Sequence, residues 1–146
     1  EILCHRPSRR GTDIARALDY LNQVVKRRAV VFVISDFMDD NYETALRMTR
    51  RKHDTIAVAI DDPRELRLPD VGVIAVRDSE SGEEAIVDTR RAAVREDYAA
   101  DAQQRLEARR ALMERLRVDL ITLEVDEDYV RALHRFFRMR ERRMLA

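Results

Sequence analysis

Little in this chain bends, crosslinks or stacks. Its 146 residues include three glycines, three prolines, one cysteine and no tryptophan. The lone Cys4 excludes an intrachain disulfide and suits a reducing compartment. With only Gly11, Gly72 and Gly82, no Gly-x-x-x-x-Gly-Lys-[Ser/Thr] loop and no Gly-x-Gly-x-x-Gly loop is present to cradle a phosphate. Net charge is missing too. The 28 basic residues balance 28 acidic ones, so gross charge points neither to nucleic acid nor to an anionic membrane. No apolar run approaches the roughly 20 residues of a membrane span, and no signal peptide is visible, so the expected setting is cytoplasmic. His5, His53 and His134 lie far apart and make no His-Glu-x-x-His pattern, and they read as surface or structural groups. No Ser-His-Asp or Cys-His arrangement has visible support.

What the chain does have is Ala29-Val30-Val31-Phe32-Val33-Ile34-Ser35-Asp36, an unbroken apolar run ending in a serine and a carboxylate. It is short and β-branched, and it reads as a parallel strand buried on both faces. In open α/β sheets ligands bind outside the carboxyl ends of strands, which puts Asp36 at the natural site.

The flanking segments follow the same rhythm. Thr12 or Asp13 can cap a helix carrying Ile14, Ala17, Leu18, Leu21, Val24 and Val25 at helical spacing. After the first strand, Asp39, Asp40 and Asn41 are turn and cap residues, and a short helix runs to about Lys52. Thr55 to Ile60 is a second apolar strand, which completes a βαβ unit. Asp61-Asp62-Pro63 breaks it. Residues 71–88 read as a β-hairpin around Ser79-Glu80-Ser81-Gly82, inserted at one edge. A long amphipathic helix spans about Arg91 to Arg117, with Val94, Tyr98, Ala102, Leu106, Met113 and Leu116 on one face. Leu120 to Val125 is the third strand. Asp126 and Asp128 open a last helix, with Val130, Leu133, Phe136 and Phe137 inside and Arg131, Arg135 and Arg138 outside. Tyr98 and the methionines read as core by spacing. The expected whole is one α/β domain over residues 1–146, with three parallel strands flanked by helices and one hairpin.

Gly11-Thr12-Asp13-Ile14-Ala15-Arg16-Ala17-Leu18 and Val31-Phe32-Val33-Ile34-Ser35-Asp36-Phe37 carry a resemblance, together with His53-Asp54-Thr55-Ile56-Ala57-Val58, Asp62-Pro63-Arg64-Glu65, Leu68-Pro69-Asp70-Val71-Gly72 and Val87-Asp88-Thr89. In this order the chain resembles the bacterial domain-of-unknown-function 58 family, over about residues 1–143. That resemblance implies a Rossmann-like von Willebrand factor A-type domain with a metal-ion-dependent adhesion site for Mg²⁺ or Mn²⁺. Thr12 matches the family's threonine position and Asp36 its aspartate position. The Asp-x-Ser-x-Ser loop has no counterpart, so the expectation is a carboxyl-terminal part of such a domain, with an incomplete site that holds no ion tightly. The resemblance also implies a protein partner, a MoxR-type AAA+ ATPase, in chaperone-like assembly or maturation, and a parent protein that can carry membrane helices.

Each singled-out residue has a plainer reading beside the functional one. Asp36 at a strand end is either a ligand or a turn and cap residue. Thr12 is either a ligand or a helix cap, and can be both. The terminal run Arg138-Met139-Arg140-Glu141-Arg142-Arg143 suits a solvated helix end, where arginine favours the dipole. Three function classes stand. One is a non-enzymatic binding module. A second is a metal-dependent phosphatase or nuclease using the strand-end aspartates. The third is a fragment that self-associates into a homo-oligomer through an unpaired apolar strand.

Overall fold

The computed structural model describes residues 12–77, 84–125 and 128–145. Cys4, His5, Gly11, Asp126 and the hairpin turn Ser79-Glu80-Ser81-Gly82 lie outside these residues. In chain order the elements are α1 (Ile14–Val24), β1 (Val30–Ser35), α2 (Glu43–Lys52), β2 (Asp54–Asp61), α3 (Pro63–Leu66), β3 (Val73–Arg77), β4 (Glu84–Asp88), α4 (Ala92–Leu116), β5 (Asp119–Glu124) and α5 (Tyr129–Leu145). The protein is α/β. A parallel three-stranded sheet of order β1-β2-β5 is flanked by helices, and β3 and β4 form a separate antiparallel pair.

Local chemistry sets the helix ends. Asp13, not Thr12, caps α1, its carboxylate accepting from the Arg16 N–H at 2.8 Å. At α5 Asp128 accepts from the Val130 and Arg131 N–H groups. The last turn of α2 carries Arg50, Arg51 and Lys52, favourable at the negative end of the helix dipole. α4 ends where Arg117 turns left-handed at φ 55°.

The pairing register runs Val30↔Asp54 to Ser35↔Ala59, and Ile56↔Asp119 to Asp61↔Glu124. β2 is therefore the central strand, and residues 55–59 are buried without interruption. Two cores lie on its two faces. On one, Ala57 and Ala59 meet Ile14 and Leu18 of α1, Leu46 of α2 and Met113 of α4. The alanines let three helices approach the sheet closely. On the other face, Ile56 and Val58 join Ile121 and Leu123 of β5 under Ala132 and Phe136 of α5. Arg140 of α5 bolts the lower end of that layer, pairing with Asp54 and Asp119 at the starts of β2 and β5.

β1 does not match its expected burial. It is an edge strand. Val31 and Val33 face the helical core, but Val30, Phe32 and Ile34 on the other face stay exposed. α5 lies over β2 and β5 and touches β1 through a Phe137–Phe32 edge contact with centroids 6.3 Å apart. For the same reason Val130 and Phe137, expected inside, are exposed. Val24 is also exposed, near the end of α1. The expectation for the methionines holds for Met113 but not for Met38, Met48 or Met139, which lie outside both cores. His53 is buried and structural, its Nδ1 accepting from the Ala29 N–H at 3.3 Å.

The hairpin is clasped at its base. Thr89, fully buried, donates its hydroxyl to the Gly72 carbonyl at 2.7 Å and accepts from the Val71 N–H at 3.1 Å. Gly72 itself needs its φ of +96°, a region side chains rarely adopt.

Leu46 and Met48 sit two residues apart on α2, one with no exposure and one half exposed. We expect Leu46→Ala to lower unfolding free energy by about 2–5 kcal/mol, and Met48→Ala by less than about 0.5 kcal/mol. Urea titrations of both variants check this, and equal losses would contradict the layer assignment.

Candidate functional site

Two loops leave the carboxyl ends of β1 and β2 side by side, and an open cleft of about 1660 Å³ lies beyond them. Thr12, Asp36, Asp39, Asp61 and Arg109 all line it. The wall opposite is built by Tyr98 and Ala102 of α4 with Val76 and Ala85 of the hairpin. The hairpin is thus one side of the cleft as well as an insertion in the α/β rhythm.

The loop after β1 is tightly specified. Phe37 is left-handed at φ 57°, unusual for an aromatic residue, yet its side chain is buried against Tyr42 with ring centroids 5.6 Å apart. The Ser35 hydroxyl accepts from the Phe37 N–H at 3.1 Å, and Asp36 Oδ1 accepts from the Met38 N–H at 3.1 Å. These bonds turn the chain sharply after the strand and leave the Asp36 side chain on the exposed rim.

The aspartates then divide by function. Asp39 Oδ2 accepts from the Ile14 N–H at 2.7 Å, which ties the start of α1 to the loop after β1. This places Thr12, two residues before Ile14, on the same cleft. Asp62 caps α3 through the Arg64 N–H at 2.8 Å. Asp61 lies at the end of the central strand, with its side chain 9% exposed. Both its oxygens are held by Arg109 of α4, at 2.8 and 2.7 Å, and Arg109 also donates to the Asp36 carbonyl at 3.1 Å. The fork geometry satisfies a desolvated carboxylate in a way a lysine could not.

Tyr42 closes the floor. Burial pushes its phenol above the ordinary value of 10.0, the Arg109 charge opposes this, and Asp39 and Asp40 add to it.

The cleft's chemistry can now be set beside known proteins. The profile of the family described as "Protein of unknown function DUF58" matches residues 1–108, which include most of the residues that line the cleft and stop just short of Arg109. The chain belongs to that family. An uncharacterized protein of Mycobacterium avium is 33% identical over 138 residues, covering 92% of this chain and 79% of the relative. Uncharacterized proteins of Mycobacterium tuberculosis and Mycobacterium bovis are 35% identical over 138 residues, and there the chain spans 42% of the relative's length. A crystal structure described as conserved hypothetical protein BatB from Bacteroides thetaiotaomicron aligns over 88% of this chain and 58% of its own, at 15% identity and a TM-score of 0.43.

In this DUF58 chain the structure brings Asp36 and Thr12 to one cleft. Asp39, Asp61 and Asp62 line the same cleft, but their carboxylates are engaged elsewhere. Among the described residues no group of three or more His, Cys, Asp or Glu is placed to hold a metal. A hard divalent cation takes about six oxygens, and the pair Asp36 and Thr12 offers two. The donor set fits a loosely held, largely hydrated ion and not a tightly held one.

Arg109 is the residue that sequence reading missed. The signal was present: Ala102, Leu106, Arg109, Met113 and Leu116 follow each other at helical spacing, so a charge interrupts the buried stripe of α4. A charge in that position needs a buried partner.

Arg109→Met should destabilise by about 3–5 kcal/mol because it strands Asp61 in a desolvated position, whereas Arg109→Met with Asp61→Leu should recover most of that loss. Urea unfolding of the two singles and the double gives the coupling, and purely additive losses would refute the pairing. A second test uses the phenols. Folding holds the Tyr42 proton more tightly, so its contribution to stability is full below the unfolded value near 10 and is lost as pH rises through the higher folded value. Absorbance at alkaline pH should show a late-ionising phenol, and Tyr42→Phe should remove that phase.

Proposed function

We propose that this chain is a protein-interaction module of von Willebrand factor A type, whose docking face is the cleft at the carboxyl ends of β1 and β2. The observation that carries the reading is that Asp36 and Thr12, from loops far apart in sequence, open on one cleft at the carboxyl end of a parallel sheet. The divalent ion, Mg²⁺ or Mn²⁺, is held by these two residues and completed by water, by oxygens from outside residues 1–146, or by a carboxylate of the partner. Asp61 stays with Arg109 and sets the shape of the face without binding the ion. The partner class, a MoxR-type AAA+ ATPase acting in assembly or maturation, comes from the family resemblance.

Calorimetry tests this directly. The chain alone should bind Mn²⁺ with a dissociation constant of about 1 mM or weaker, and Asp36→Ala should abolish the heat. Binding to a purified MoxR-type ATPase should require Mg²⁺, fall at least tenfold in EDTA, and be lost in Asp36→Ala. Micromolar Mn²⁺ affinity would overturn the two-oxygen account, and EDTA-insensitive binding unaffected by Asp36→Ala would overturn the docking face.

A further inference from the structure

Arg109 stands where a cation would stand. Its Nη1 donates to Asp61 Oδ1 at 2.8 Å and to the Asp36 carbonyl oxygen at 3.1 Å, so one nitrogen bridges oxygens from two neighbouring strand ends. The sheet register brings those oxygens together. Ser35 pairs with Ala59, which sets Asp61 level with the residue after Asp36. Nη2 holds the other Asp61 oxygen at 2.7 Å, and the buried Nε has no hydrogen-bond partner among the described residues. A carboxylate and a backbone carbonyl are ligands that hard divalent cations take. Here a guanidinium takes them instead.

This has two effects on an ion beside Asp36 and Thr12. The first is withdrawal of a ligand. Asp39 and Asp62 are held by the backbone N–H groups of Ile14 and Arg64, but Asp61 is held by a side chain. Position 109 therefore decides whether the carboxylate of the central strand is available. The second effect is repulsion. Arg109 and Asp61 are both 9% exposed at their side chains, so water screens the guanidinium poorly. A fixed positive charge against the Asp36 carbonyl opposes an incoming divalent ion. Affinity for such ions follows the number of charged ligands, and the clamp removes one.

We infer that Arg109 is a resident cation that sets the ion affinity of the cleft. It withholds Asp61 and repels the ion, so a divalent ion binds firmly only when oxygens beyond Asp36 and Thr12 complete its shell. Arg109 acts through Asp61, as a positioning residue. Without the guanidinium, Asp61 turns to the ion as a third ligand carrying a full charge. The inference rests on the reading of Asp36 and Thr12 as the residues that hold the ion.

Mn²⁺ calorimetry on variants of the whole 146-residue chain tests this. Arg109→Met should bind Mn²⁺ about tenfold more tightly than wild type, because a charged ligand is released and a repelling charge removed. Arg109→Gln should gain in the same direction. Its neutral amide can still donate to Asp61, so it serves where Arg109→Met does not fold. Arg109→Lys keeps a cation in place and should stay within about threefold of wild type. Arg109→Met with Asp61→Leu should also stay within about threefold, since charge and counter-charge leave together. Mn²⁺ should raise the urea midpoint of Arg109→Met more than that of wild type, because an ion that binds only the folded state stabilises it. A merely structural clamp would give no gain in affinity in any variant. The proposal is overturned if the neutral variant that folds binds Mn²⁺ no better than wild type, if Arg109→Lys gains as much, or if the gain survives Asp61→Leu. Failure of the cleft reading shows separately, as wild-type Mn²⁺ binding that Asp36→Ala leaves unchanged.

Discussion

The clamp of Arg109 on Asp61 holds the carboxyl ends of β1 and β2 in place. Asp61 ends the central strand, Arg109 lies deep on the apolar face of α4, and the same guanidinium reaches the Asp36 carbonyl at the end of β1. One cation therefore fixes three elements relative to each other. It must be a guanidinium, because the carboxylate is nearly buried and needs both oxygens satisfied at once. A buried ion pair contributes little net stability against an apolar replacement. Its effect here is geometric: it sets where the two strand-end loops sit, and so which aspartates face the cleft. Asp61 is withdrawn into the protein, while Asp36 is left on the rim.

That division keeps the strand-end carboxylates apart in their contacts, so that among the described residues they do not form one group. From sequence, Asp36, Asp39, Asp40, Asp61 and Asp62 look alike. In the fold Asp39 caps a distant helix, Asp62 caps the short helix after β2, and Asp61 belongs to Arg109. The Asp39 bond to Ile14 shows how one contact does two things. It satisfies an orphan helix N–H and, in doing so, draws Thr12 to the cleft that Asp36 borders.

Much of the fold was legible because β-branched runs and helical spacing are local signals. The three strands, the hairpin and the long helix appear within a residue or two of their expected bounds. Burial was less legible, because an apolar run records what a strand can bury and not whether a neighbour is there. Val30 to Ile34 carry the composition of a strand covered on both sides, yet the sheet order leaves β1 at the edge and α5 stops short of it. Phe137 and Val130 were misplaced for the same reason, since a helix flank is buried only if the sheet extends beneath it. Arg109 was hidden differently. Among so many arginines the residue type says nothing, and only its place in the Ala102–Leu116 stripe marks it.

The mismatch at β1 is more informative than the agreement elsewhere. β2 achieves its burial with alanines on one face and bulky β-branched residues on the other, because helices cover both. β1 keeps the bulky residues on a face that the described residues leave largely exposed. Isolated edge strands are usually protected by charge, proline or a bulge within the strand. Here the charges stand only at the two ends, opposite in sign, and the middle is left apolar and regular. Protection against association would place charge where Phe32 is. β1 thus has the composition of a covered strand, while the described residues place it at the edge of the sheet.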